Sequence, residues 1–202
     1  ARGQGDPLSG MFKPPDGAEF CGAMIGEPQD RWLLASDAGY GFIARLEHLV
    51  SRNKAGKAVL RVPANGKAVV PAPVPAVAEC LIAAATSIGR LLLFEMDELP
   101  ELAKGKGNKL INIPSKKYQG GEEKLVAIAE VQEDGNLLLQ TEGRSMTLKW
   151  NDLDDYYGER ALRGSLLPKG WRRVTRLSAA WGGVRRIAGR PGLLGAGAGL
   201  LG

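Results

Sequence analysis

The residues best suited to chemistry in this chain are lysines set between glycines. Lys104, Lys106 and Lys109 alternate with Gly105 and Gly107, Lys116 and Lys117 follow, and no acidic residue falls between Ala103 and Gln119. Glycine lets a backbone come close to a phosphate and lysine neutralises it, so the run suits a polyanion. A solvated loop could have the same composition; recurrence favours phosphate binding. Arg52, Lys54 and Lys57 surround Gly56, with Arg45 close in sequence. Arg160 and Arg163 precede Gly164, with Lys169 and the pair Arg172-Arg173 beyond it, and Arg2 and Gln4 stand ahead of Gly5. The Arg172-Arg173 pair fits either a phosphate contact or the outer face of a strand around Trp171, Val174 and Leu177. Gly5, Gly56 and Gly107 stand 51 residues apart, and Gly164 lies 57 further on.

Other chemistries are poorly served. A nucleotide-binding loop of the Walker type needs GxxxxGK, then Ser or Thr, then a helix; here the β-rich run Leu110-Ile111-Asn112-Ile113-Pro114 follows. Cys21 and Cys80 are 59 positions apart and His48 is the sole histidine, too few ligands for zinc and no disulfide scaffold. A reducing, cytoplasmic setting follows by default. Asp152, Asp154 and Asp155 read as a solvated capping turn rather than a metal site. Trp32, Trp150 and Trp171 read as core anchors rather than base-stacking platforms, so sequence-specific readout is not indicated. No nucleophile has a base beside it, so no catalytic residue is assigned.

What would position the basic loops is a repeat of about fifty residues. Three turns, Asp37-Ala38-Gly39, Ser87-Ile88-Gly89 and Thr141-Glu142-Gly143, each follow an apolar run. Counted from each glycine, the third, fifth and seventh residues are Phe42, Ala44 and Leu46, then Leu92, Phe94 and Met96, then Met146, Leu148 and Trp150. That period of two predicts hairpins with one buried face, each followed by a short turn and a basic glycine loop. Short strands are predicted after three of the loops, at 58–62, 110–113 and 165–167. Units this small cannot bury an apolar face alone, so they must pack together. The fold class is all-β, a propeller-like arc of repeated small antiparallel sheets. With 202 residues, 44% of them hydrophobic, the chain can bury a core; its 28 glycines and 12 prolines suit many tight turns. The net charge of +5 is mild support for an anionic partner. The run 69–88 carries Pro71, Pro73 and Pro75, and reads as a linker into a strand rather than a membrane span. An opening Ala1 without methionine suggests a piece of a longer protein. The module is placed at 1–178, and 179–202 is read as a flexible glycine-rich tail.

Several runs carry a resemblance. Ala35-Ser36-Asp37-Ala38-Gly39-Tyr40-Gly41-Phe42, Arg52-Asn53-Lys54-Ala55-Gly56-Lys57-Ala58, Lys104-Gly105-Lys106-Gly107-Asn108-Lys109 and Ile111-Asn112-Ile113-Pro114 resemble the carboxy-terminal domain of bacterial type IIA topoisomerase A subunits, topoisomerase IV above all. So does the opening Ala1-Arg2-Gly3-Gln4-Gly5. The resemblance implies a β-pinwheel that binds and bends duplex DNA and so supports decatenation and supercoil relaxation. It implies as partners an ATPase B subunit, in an A2B2 assembly, together with the rest of its own A subunit. ATP and magnesium would belong to that holoenzyme, with no cofactor in this segment. A cytoplasmic, nucleoid-associated location is implied, with peripheral contact at the inner membrane face. No loop carries the paired arginines and glycines of the full gyrase box, which counts against chiral wrapping. That gyrase-type activity, and a protein-docking propeller with a basic edge, are the alternatives.

Overall fold

The computed structural model describes residues 5, 8–12, 14–75 and 80–180. A turn of helix at Leu8–Met11 (α1) precedes the first hairpin, β1 (Arg31–Ala35) and β2 (Tyr40–Arg45), which is followed by α2 (Leu46–Leu49) and β3 (Ala72–Val74). The second unit holds β4 (Cys80–Thr86), β5 (Arg90–Glu95), β6 (Asn108–Lys109), α3 (Ser115–Gln119) and β7 (Leu125–Gln132). The third holds β8 (Asn136–Thr141), β9 (Arg144–Leu148), β10 (Ser165–Leu166) and β11 (Val174–Ala180). All three predicted hairpins are present. Their turn glycines, Gly39, Gly89 and Gly143, have φ of +83°, +80° and +87°, a backbone that side chains with a Cβ rarely adopt.

The first two sheets each draw strands from two successive units. The first runs β3-β1-β2-β6 and the second β7-β4-β5-β10, while the third has β11-β8-β9 among the described residues. Thus the basic loop of one unit sends a two-residue strand back onto the hairpin of the unit before: β6 pairs with β2 through Lys109–Tyr40 and Asn108–Gly41, and β10 with β5 through Ser165–Leu91 and Leu166–Arg90. The approach is close. Gly107 has φ +72° and a Cβ there would strike the Gly41 carbonyl, while at Gly164 a Cβ would lie 2.7 Å from the Leu91 carbonyl oxygen. Only glycine fits such a seam.

Several expectations need correction. The proline-rich stretch is not only a linker: β3 lies within it, with Pro73 opposite Trp32. Pro73 is tolerated because β3 is the edge of its sheet, where a missing N–H breaks no ladder. The strand expected at 110–113 falls instead at Asn108–Lys109, and Leu110, Ile111 and Ile113 are buried without being strand. In place of the strand expected at 58–62 there is a single bridge between Leu60 and Gly105. The last strand runs through Ala180, two residues past the expected end of the module; the rest of the predicted tail, 181–202, lies outside the described residues.

The one-buried-face expectation holds only for the third sheet. In the second, every residue of β4 is buried. Its Ile82 and Ala84 face a core shared with the first sheet, which includes Leu33, Ile43 and Phe94. Leu81, Ala83 and Ala85 face a second core shared with the third sheet, including Leu137, Leu139 and Leu153. The alanines keep β4 thin enough for sheets on both sides. On the outer face of the first sheet, Leu34, Phe42 and Ala44 are covered by Met24, Leu49, Val59, Leu60 and Leu102. The seventh residue after the second hairpin glycine, Met96, is buried, as is Leu99 three residues on.

Candidate nucleic-acid interface

Backbone hydrogen bonds join the basic loops edge to edge. Gly105 N–H donates to the Val59 carbonyl and Arg61 N–H to the Gly105 carbonyl, both at 2.8 Å. On the other side, Ala161 N–H donates to the Leu110 carbonyl at 3.0 Å and Asn112 N–H to the Leu162 carbonyl at 2.8 Å. The segment after the first loop, the whole second loop and the third loop therefore form one continuous rim. The interlocking of units explains this: the second and third loops each lie on the preceding hairpin, so they become neighbours.

Among the described residues the predicted cations divide into two groups, one free of side-chain partners or nearly so and one tied to protein groups. Arg52, Lys54, Lys57, Lys104 and Lys106 are exposed, as are Lys116 and Lys117 on α3. Lys106 Nζ sits 3.8 Å from the centroid of the Tyr40 ring, and Lys109 Nζ 5.8 Å from it. The ring face attracts both ammonium groups and limits their rotamers. Lys109 is half-buried and reaches Asn112 Oδ1 at 3.4 Å. Lys116 and Lys117 are held by their neighbour Tyr118, whose hydroxyl donates to Asp37 Oδ1 at 2.7 Å. Burial, then the bond to Asp37, push the Tyr118 phenol up to about 12. Asp37 belongs to the first hairpin turn, so that turn anchors the α3 lysines of the next unit.

The second group is engaged by partners within the protein. Arg163 donates from Nη1 to Glu123 Oε1 at 2.6 Å and to the Asn112 carbonyl at 2.9 Å, and from Nη2 to Glu123 Oε2. Glu123 is fully buried. Arg160 donates to the Lys109 carbonyl at 2.7 Å, and its own N–H binds Glu98 Oε2. Arg172 Nε donates to the Leu167 carbonyl at 3.0 Å. Arg45 is exposed but paired to Glu101 at 2.7 Å and lies 3.9 Å from Glu47. These four arginines bind units and loops to one another, which departs from the sequence expectation of phosphate contacts. Arg173 is exposed. Arg2 and Gln4 lie outside the described residues.

Sequence reasoning missed two residues. Tyr40, which positions Lys106, directly follows a turn glycine and enters the sequence analysis only within the run that carries the resemblance. Arg61 is exposed and bonded to the second loop through its backbone; its only sequence signal is a positive charge two residues before Pro63. The remaining candidates behave as expected: His48 is exposed, and Asp152 caps its own turn by accepting from Lys149 N–H at 3.1 Å. Among the described residues no group of three His, Cys, Asp or Glu could hold a metal ion, and no helix is long and apolar enough to cross a membrane.

This interlocked arrangement has known counterparts. A family model described as DNA gyrase C-terminal domain, beta-propeller, matches residues 30–75 and 81–132. The solved C-terminal domain of E. coli ParC is 38% identical, with a TM-score of 0.77, over 89% of this chain and 72% of that one. The chain belongs to the C-terminal domains of topoisomerase IV A subunits. Among curated relatives, the A subunit of DNA topoisomerase 4 from Pseudomonas aeruginosa is 48% identical over 88% of this chain, and that from Escherichia coli K12 is 38% identical over 88%. The chain spans about a quarter of the length of these relatives, 24% and 23%. The C-terminal domain of DNA gyrase A shares the fold at 15% identity and a TM-score of 0.68, covering 88% of this chain and 59% of that one. Membership in the family accounts for the β-propeller-like organisation and for hairpins that recur about every fifty residues.

Proposed function

We propose that this chain grips duplex DNA by its phosphates, without sequence preference, and bends it as the C-terminal domain of a topoisomerase IV A subunit. The reading is supported by the exposed cations Arg52, Lys54, Lys57, Lys104 and Lys106, and by the backbone hydrogen bonds that join the second loop to residues 59–61 on one side and to the third loop on the other. Cations along a single track neutralise successive phosphates, and a track that follows stacked sheets favours a curved duplex. Phosphate contacts of this kind position a duplex and do not read its bases. No bond is made or broken by this chain. Its role is to present a bent segment to the rest of its own A subunit, within an A2B2 enzyme whose B subunit is the ATPase, supporting decatenation and supercoil relaxation. ATP and magnesium act elsewhere in that assembly, which works in the cytoplasm at the nucleoid and peripherally at the inner membrane face.

The test is a bend. With donor and acceptor dyes at the two ends of a linear duplex of about forty base pairs, roughly four helical turns, binding is expected to raise energy transfer. Ligating nicked circles on the protein is expected to trap little net writhe. Binding without a change in transfer would refute bending, and a strong single-handed writhe would indicate gyrase-type wrapping instead. A protein-docking propeller would leave both readouts unchanged.

A further inference from the structure

The third basic loop departs from the second at one place. Counted from the loop glycines, Leu110 and Leu167 are equivalent: each is fully buried and donates its N–H to the turn glycine of the preceding hairpin, Gly39 or Gly89. In the second loop Gly105 alone makes both backbone bonds to residues 59–61, donating to Val59 and accepting from Arg61. In the third loop the same two bonds are divided between neighbours: Ala161 donates to Leu110, and Leu162 accepts from Asn112. Two residues thus stand where one stood, the arrangement of a β-bulge. Leu162 N–H closes it on the Glu159 carbonyl at 3.3 Å, with Ala161 at φ +68°. A residue with a Cβ rarely adopts that backbone, and such outliers gather where a fold must aim a side chain at a ligand.

The side chain aimed here is Leu162, 50% exposed, at the position of Gly105, which has none. Leu166, 43% exposed, likewise stands where the second loop has Lys109. The arginines of the third loop, Arg160 and Arg163, are held by protein groups. Its outward chemistry is therefore apolar, beside a second loop whose exposed side chains, Lys104 and Lys106, are cationic. Hydrocarbon gains nothing from a phosphate. Between two base pairs, however, an apolar side chain such as leucine unstacks them and kinks the duplex. We infer that Leu162 is such a wedge, entering the minor groove of the duplex whose phosphates Lys104 and Lys106 hold, and that it sets where the bend falls. The inference rests on the proposed grip on duplex DNA and adds to it a residue that touches the bases without reading them.

The full 202-residue chain tests it. Two linear duplexes of about forty base pairs, roughly four helical turns, are compared, one perfectly paired and one with a single central mismatch. A mismatch has already lost part of the stacking that a wedge must break, so the native chain is expected to bind it about tenfold more tightly. A fluorescent aminopurine base beside the mismatch should brighten on binding. Leu162→Ala is expected to erase both the preference and the brightening. Leu162→Met, which keeps an apolar side chain of similar reach, is expected to restore both. A native preference in Leu162→Ala would overturn the wedge and leave Leu162 to a protein contact. An equal loss of affinity for the two duplexes would also overturn it, as the mark of a residue that only supports its loop. A native chain that binds the two duplexes alike refutes the wedge alone, whereas one that binds neither refutes the phosphate grip itself.

Discussion

Replacing Lys104, Lys106 and Lys109 by alanine is expected to weaken binding to a linear duplex about a hundredfold at 0.1 M salt, with the gap narrowing as salt rises. Each neutralised phosphate adds about 0.9 to the slope of log affinity against log salt. Three lysines, each meeting one phosphate, therefore account for a slope change of about 2.7 and an upper bound of about five-hundredfold at 0.1 M. The expectation sits below that bound because Lys109 is half-buried, with its ammonium already facing Asn112 Oδ1 and the Tyr40 ring. Fluorescence anisotropy of a labelled duplex across a salt series measures both quantities. The fold should survive, since Lys104 and Lys106 are exposed and no hydrogen bond or ion pair of their side chains is present among the described residues. An unchanged slope would remove the second loop from the DNA contact.

Arg163→Ala is expected to do the reverse: a large loss of stability with little effect on DNA. Its guanidinium forms a two-pronged pair with Glu123, which has no exposure to water, and also satisfies the Asn112 carbonyl. Removing one partner of such a pair leaves a buried charge uncompensated and costs about 3–5 kcal/mol. The side chain of Arg163 is 27% exposed, so water can reach the vacated site and the lower end of that range applies. For a domain of this size the melting temperature should fall by roughly 10 °C. Below the transition, the slope of DNA affinity against salt should stay at the native value. Glu123→Ala/Arg163→Ala should recover part of the lost stability, because the two side chains act as a unit. A variant that melts like the native chain but loses salt slope would return Arg163 to the phosphate track.

Arg163 also marks where the sequence stops being informative. It stands one residue before Gly164, as Lys106 stands before Gly107 and Ala55 before Gly56, and its charge looks like another rim cation. What turns it inward is Glu123, forty residues earlier, and no local pattern signals such a pair. The hairpins were legible because a turn glycine and a period of two are local signals. β7 was not, since Leu125–Gln132 has both faces buried or half-buried and therefore no alternation. β3 was hidden by its prolines, which break helices and central strands but not an edge strand. The exchange of strands between units was also beyond reach, because β6 and β10 are two residues each and their partners lie in the preceding repeat. Their glycines, recurring after 51 and then 57 residues, were visible; the reason for them, a close backbone seam, was not.

The seam has a functional consequence. By drawing the second and third basic loops onto the preceding hairpins, it sets the second loop beside both residues 59–61 and the third loop. The proposed activity depends on that adjacency more than on the number of positive charges, since a net charge of +5 is modest for 202 residues.

The most direct test is the salt slope of binding measured against duplex length. A duplex of about one turn, ten base pairs, should engage one loop and show the slope of that loop alone. Between about ten and thirty base pairs the slope should climb as the first and second loops come to share the same molecule. Arg52→Ala/Lys54→Ala/Lys57→Ala should then flatten the climb. A slope that is independent of length, and indifferent to the first loop on long duplexes, would mean that the loops do not serve one track.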